Sequence, residues 1–469
     1  MQSDITRRVS GHDLPFQIHQ GFRFERPALV VCMLAYIECF QWMYKDYLYP
    51  TWAYYGFDYN PPSMKYQLLA WTLAAMPALW MPLKLTRPSQ LAYWVLYITV
   101  IIPSMFVPMF AGMNSSSEVA LLSLSLFAGF AILGCGYYLP LAKVRSAKIP
   151  RQLFWFAFAS TAICLTVWLI TVFRGHMQLV SFGDVYDLRD AANDVSDGSL
   201  VNYAFMLLTG AINPFLMGCG LYFKRRWLFV AGAIGQVLIY SILGTKGSLL
   251  SILFVPSIHL LLKIKKVSFG LVLGLASLAI LAGATFSGRF IGSGDASFFS
   301  GVIQFVILMR TLSTNGLLTA QYYDFFQRNP VTHFSHIHIV SWFVPYPYHN
   351  TLGQEIGLAY AGTTDLNATA NFWATDGIAS VGLGGILFIS FFCALVFWVL
   401  DSASQRHPVH LTALLTAYAA YNIANISIFT SLFSGGLALL ILLIYMLPKT
   451  LPITTTFSTS LRLAKNSVF

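Results

Sequence analysis

The chain alternates long apolar runs with short polar segments. The runs lie at roughly 28–46, 66–83, 90–111, 119–141, 153–173, 200–223, 227–243, 248–262, 267–286, 376–400, 411–429 and 432–448. Runs of about 20 residues cross roughly 30 Å of hydrocarbon as helices. Backbone polar groups in lipid have only one another as partners, so each run is expected to be helical. The pattern predicts an all-α polytopic membrane protein with about twelve transmembrane helices.

Two polar intervals break the rhythm, and unstructured loops of their length are uncommon without a function. The expected organisation is a tail over 1–27, nine helices over 28–286 with a long loop at 174–199, a large loop over 287–375, three helices over 376–448 and a tail over 449–469. The large loop contains the apolar stretch FFSGVIQFVILMRTL (298–312), which includes Arg310. It reads as a re-entrant or interfacial helix that starts and ends on one side. A full crossing is the alternative, and it would invert every later loop.

Composition narrows the class. Only 10% of the 469 residues are charged and 57% are hydrophobic, whereas a soluble domain carries about 25% charged residues. A soluble enzyme, a disordered chain and a disulfide scaffold are excluded. The six cysteines all fall inside apolar runs without a CxxC pair, which suits small buried side chains. The net charge of +10 is a topology signal. Twenty of the 28 Lys and Arg residues fall in the tails and alternate loops on one side, with four acids. The other side has eight bases and 13 acids, and Glu38 lies within the first run. The positive-inside rule then predicts that both termini are cytoplasmic, and nucleic acid is not expected as a partner. The first 27 residues lack a short apolar core with a small-residue cleavage site, so no removable signal peptide is expected.

The few bases on the opposite side are informative. They include Arg174 after the fifth run, Lys246 in GTKG (244–247), Arg289 in SGRF and Arg310. A charge beside hydrocarbon costs several kcal/mol and points to a wet cavity or an anionic partner. Arg presents a donor fork that matches phosphate oxygens, and Lys adds a point charge. Snorkelling of single residues to the interface is the plainer reading.

His333, His336, His338 and His349 fall in the large loop, followed by Glu355, Asp365 and Asp376. HFSHIH has no matching Cys or HExxH partner, so no metal is expected. A general base is the better role, and His349 in PYPYHNTLGQEIG is the first candidate, with a hydrogen-bonded structural histidine as the alternative. In the loop at 174–199, Asp184, Asp187, Asp190, Asp194 and Asp197 recur at steps of three or four and on a helix would share one face. A solvated surface helix explains them; a divalent-cation site or a gate are sharper alternatives. The aromatics of the large loop suit an interface belt or a sugar-stacking platform. P-loop, Rossmann and GxSxG patterns are missing from the sequence, which leaves nucleotide-driven transport and triad hydrolysis without support.

The arrangement resembles the Wzy-type polymerases of bacterial O-antigen and polysaccharide repeat units, which have about twelve spans and functional third and fifth periplasmic loops. GTKGSLLSILF (244–254) resembles the family's Gly-Ser-Arg-Gly turn and following helix, with Lys246 where Arg is usual. Arg310 through LLTAQYYDFF (317–326) resembles its arginine followed by a tyrosine-rich stretch, which brings in Tyr322 and Tyr323. NFWATDGIASVGLGGILF (371–388) resembles the Asn…Gly…Gly lead-in to the next span, and HNTLGQEIG (349–357) resembles an HN motif shared with O-antigen ligases.

The resemblance implies a GT-C-like glycosyltransferase of the inner membrane that needs no cofactor or metal. Its donor and acceptor would be undecaprenyl-pyrophosphate-linked glycans, with a chain-length regulator as a partner. Arg174, Lys246, Arg289, Arg310, Tyr322 and Tyr323 would hold the pyrophosphate and substrate. His349 would be the base, with Glu355, Asp365 and Asp376 as reserves. A ligase, a lipid-linked oligosaccharide flippase and a metal-dependent glycosyltransferase that uses single-sugar lipid phosphates (with Asp46 and Asp58 in the first loop) are the other readings.

Overall fold

The computed structural model describes residues 18–145, 147–180, 199–290 and 295–448, and its elements are helical throughout. The aspartate-rich stretch from Asp184 to Asp197 lies outside the described residues, as do positions 1–17 and 449–469 of the two tails.

Among the described residues, eleven helices are long and apolar enough to cross a membrane. They are α1 (Phe24–Tyr55), α3 (Ser89–Ala111), α4 (Ser116–Tyr138), α5 (Arg151–Val172), α6 (Leu200–Tyr222), α7 (Arg226–Leu243), α8 (Lys246–Lys263), α9 (Phe269–Ser287), α10 (Ser300–Arg328), α12 (Leu383–Ser404) and α14 (Ile428–Met446). Shorter helices are α2 (Met64–Ala75), α11 (Leu352–Ala361) and α13 (Val409–Ile423). The chain is therefore a multi-pass helical protein of the kind that resides in a lipid bilayer.

Three sequence boundaries need correction. The run at 66–83 gives only α2, because the chain tightens into a 3-10 turn at Met76–Leu79 around Pro77. The run at 411–429 ends as a helix at Ile423, and Ser427 opens α14 by accepting from the amides of Phe429 and Thr430. The run at 376–400 is split. Its first residues form a wide helical turn, Trp373–Ile378, and α12 starts only after Gly382, whose φ of 70° suits glycine.

The ends of the bundle can be told apart by contacts. At the near end, Arg26 donates to Ala78 O and Met81 O, and Ser268 N donates to Glu25. At the far end, Trp42 stacks on Phe286, and Tyr44 packs on Phe110. Thus α1, α3 and α9 all run from near to far.

α10 begins and ends at the far end. Ser300 meets Ser287 at 3.1 Å, and Gln304 donates to Ala284 O. Its wide-turn segment, Phe305–Ser313, then reaches the middle of α3. There Pro103 has no N–H to offer the carbonyl of Thr99. Asn315 fills the gap, donating to Thr99 O at 3.2 Å, and Gly316 allows backbone approach to Pro103 O. The chain climbs back past Ser104, which donates to Thr319 at 3.4 Å, to Asn114, which donates to Asp324 at 3.0 Å. The hydrophobic length of α10 therefore serves a dip into the bundle. A second dip, 371–381, is held by Asn371 donating to Thr319 and by a close approach of Gly377 to Gly385 that a Cβ would block.

Candidate functional site

Two dips, a capped turn and a short basic cluster gather at the far end. The basic cluster starts at GTKG. Gly244 ends α7 at φ 60°, and Lys246 becomes the first residue of α8. Its Nζ lies 5.2 Å from the centroid of Phe305, at the start of the wide-turn segment of α10. Arg310, five residues further along that segment, has an exposed side chain that acts electrostatically on Tyr421 of α13. Gly247 faces the same helix: a Cβ there would sit 3.2 Å from the Tyr418 hydroxyl and 3.5 Å from the Tyr421 ring. The turn that carries Lys246 therefore packs beside the segment of α10 that carries Arg310, next to α13. The amides that open α8 add partial positive charge. Such a group suits an anion with several oxygens.

The HN turn is built by local chemistry. Asn350 is gripped twice by Glu355 Oε1, through its backbone amide and its side-chain amide, both at 2.9 Å. Thr351 and Gln354 form the capping box that opens α11. Tyr346 donates to Asn350 O at 3.0 Å, and Tyr348 donates to Pro330 O. Burial, and next the Glu355 carboxylate, push the Tyr346 phenol up, and the same causes push Tyr348 up to about 12. Both therefore stay donors at neutral pH. His349 stands between these anchors with an exposed ring.

Asp376 belongs to a third cluster. It is wholly buried, and its carboxylate accepts from Ser427 Oγ and Ile428 N, both at 2.6 Å. His336 Nε2 lies 3.1 Å from Asp376 Oδ1, and Thr332 Oγ1 lies 3.1 Å from His336 Nδ1. The chain reaches His336 through His333 and Phe334, at φ 48° and 65°. Two successive side-chain-bearing residues in this region are strained and need surrounding structure to hold them. Thr332 N and His333 N supply it by donating to Ala379 O and Ser380 O.

The candidate residues thus separate. Lys246 packs against the segment that carries Arg310; His349 and Glu355 share the HN turn. Asp376 is occupied as an acceptor, and Asp365 is exposed in a local turn with Thr363. Tyr322 is fully buried and Tyr323 nearly so, so they pack the core where sugar stacking would need an open face. Arg174 is exposed beyond α5, in a strand of chain tied beside the GTKG turn by Gln178 N donating to Ser241 O. Arg289 lies in the last turn of the helix over Phe269–Phe290, and its side chain is outside the described residues.

His336, Thr332 and Ser427 were missed as a unit. HFSHIH flagged the histidine, but no local signal links it to Ser427. Tyr421 of α13 and Ser427 of the Asp376 cluster are six residues apart, so they lie within about 20 Å of each other. No protein-family model, curated protein or solved structure matches the chain.

Proposed function

We propose that the chain is a GT-C-like glycosyltransferase that polymerises undecaprenyl-pyrophosphate-linked repeat units at the outer face of the bacterial inner membrane, with both termini cytoplasmic. The observation that carries this reading is the packing of Lys246, at the start of α8, against Phe305 in the re-entrant segment that also carries the exposed Arg310. In the reaction, a hydroxyl of the acceptor unit attacks the anomeric carbon of the donor glycan. The new glycosidic bond forms as the bond to the lipid pyrophosphate breaks. The departing pyrophosphate, already anionic, gains one further negative charge as that bond breaks, and fixed cations stabilise it. His349 takes the hydroxyl proton; it is exposed within the HN turn, while Glu355, Asp365 and Asp376 already accept hydrogen bonds. Both lipid tails stay in the bilayer beside the apolar helices.

The test is the length distribution of surface glycan in a host that uses this protein. Deletion should leave single repeat units and no ladder. Loss of all glycan, single units included, would point to ligation or flipping and defeat the proposal. Lys246→Ala with Arg310→Ala should reproduce the ladderless pattern while the protein stays in the membrane.

A further inference from the structure

A pocket of about 200 Å³ opens one helix away from the HN turn. Asp324, Phe325, Arg328 and Asn329 line it from the end of α10, and Ala359 and Tyr360 from α11. Its volume equals about six or seven waters at roughly 30 Å³ each. That holds one ring and not a chain.

The polar groups of this pocket are already oriented. Asp324 is 4% exposed. Its Oδ2 accepts from the Tyr360 hydroxyl at 2.5 Å, and its Oδ1 accepts from Asn114 Nδ2 at 3.0 Å and from Arg328. An ionised carboxylate has about four acceptor positions, so one remains. The Arg328 side chain is 67% exposed, and its fork has more donors than Asp324 takes. Asn329 donates to Phe325 O through Nδ2, which leaves its amide oxygen as an acceptor. Burial, and next the bond to Asp324, push the Tyr360 phenol up, so it remains protonated.

This chemistry selects among ligands. The Asp324 carboxylate disfavours an anion, and the Arg328 guanidinium disfavours a cation. Donors and acceptors side by side suit vicinal hydroxyls, which give and take hydrogen bonds together. The Phe325 ring adds an apolar wall for a C–H face. Location matters too. The Phe325 ring packs 5.7 Å from Tyr348, the residue before His349.

We infer that this pocket binds one neutral sugar ring of the lipid-linked glycan and so seats the chain beside His349. The inference rests on the polymerase reading and adds a saccharide subsite to it. The experiment uses the purified full chain in detergent, with repeat-unit oligosaccharide released from its carrier by mild acid as the probe. Saturation-transfer NMR should show contact confined to one ring. Arg328→Gln removes the donor fork, and Ala359→Trp fills the pocket from an exposed helical position. Each should weaken oligosaccharide binding at least tenfold while inorganic pyrophosphate binding is unchanged. Absence of transfer in the unaltered protein, or undiminished affinity in either variant, would overturn the inference. Loss of all glycan on deletion, single units included, would instead defeat the polymerase reading, so the two failures are separable.

Discussion

Asp376 and Asp401 are both buried carboxylates, one in the turn before α12 and one in its last turn. Their surroundings differ. Asp401, at the near end, accepts from the backbone and hydroxyl of a single residue, Ser89, at 3.1 and 2.7 Å. It holds the start of α3, where a helix N-terminus favours negative charge. Asp376 ties three separate segments together, and one of its partners is an imidazole reached through strained backbone. The near carboxylate fastens two helices. The far one ties re-entrant chain to the start of α14 and to a buried imidazole. Burial alone therefore does not mark function; the number and kind of segments drawn together does.

The largest effect should come from the far end. Lys246→Ala with Arg310→Ala is expected to slow repeat addition by about 10²–10³-fold, the loss typical for removing charge stabilisation from a transition state. Its thermal midpoint in detergent should stay near that of the unaltered protein. Next comes Asp376→Ala, which orphans Ser427, Ile428 N and His336. At about 1–3 kcal/mol for each buried group left unsatisfied, thermal unfolding should show a loss of about 3 kcal/mol or more. Glu355→Gln should be milder. It keeps an acceptor for Asn350 but loses the charge-assisted bond, so repeat addition should fall about tenfold, roughly 1.4 kcal/mol, with little change in melting. Asp401→Asn should be smallest, about 1 kcal/mol of stability, with an intact ladder. A ladder lost in Asp401→Asn, or kept at full melting temperature in Asp376→Ala, would erase the distinction between the two carboxylates.

Much of the membrane architecture was legible because hydrophobic length is a one-dimensional signal. Ten of the twelve apolar runs appear among the eleven long helices, and Ser300–Arg328 is the other. The shortfalls share a cause. Pro77, and Asn422 with Asn425, interrupt helices inside apolar runs, and hydropathy does not register backbone geometry. The re-entrant course of α10 depends on Asn315 meeting a carbonyl that Pro103 leaves open. That match joins residues more than 200 positions apart and has no local signature. The site was legible where its chemistry is contiguous, as in HNTLGQE, whose capping box and Glu355–Asn350 bonds are close in sequence. Lys246 and Arg310 could be named as unusual charges; the packing of Lys246 against the segment that carries Arg310 required the fold. Tyr322 and Tyr323 look exposed in a tyrosine-rich loop, yet the dip of α10 buries both.

The central claim is that Lys246 and Arg310 form one pyrophosphate site. Its most direct test is the affinity of the purified protein for undecaprenyl pyrophosphate, compared with both single variants and the double variant. A shared site predicts that each single alanine weakens binding markedly and that the double change costs less than the sum of the two free-energy losses. Strictly additive losses, or affinity unchanged in the double variant, would contradict it.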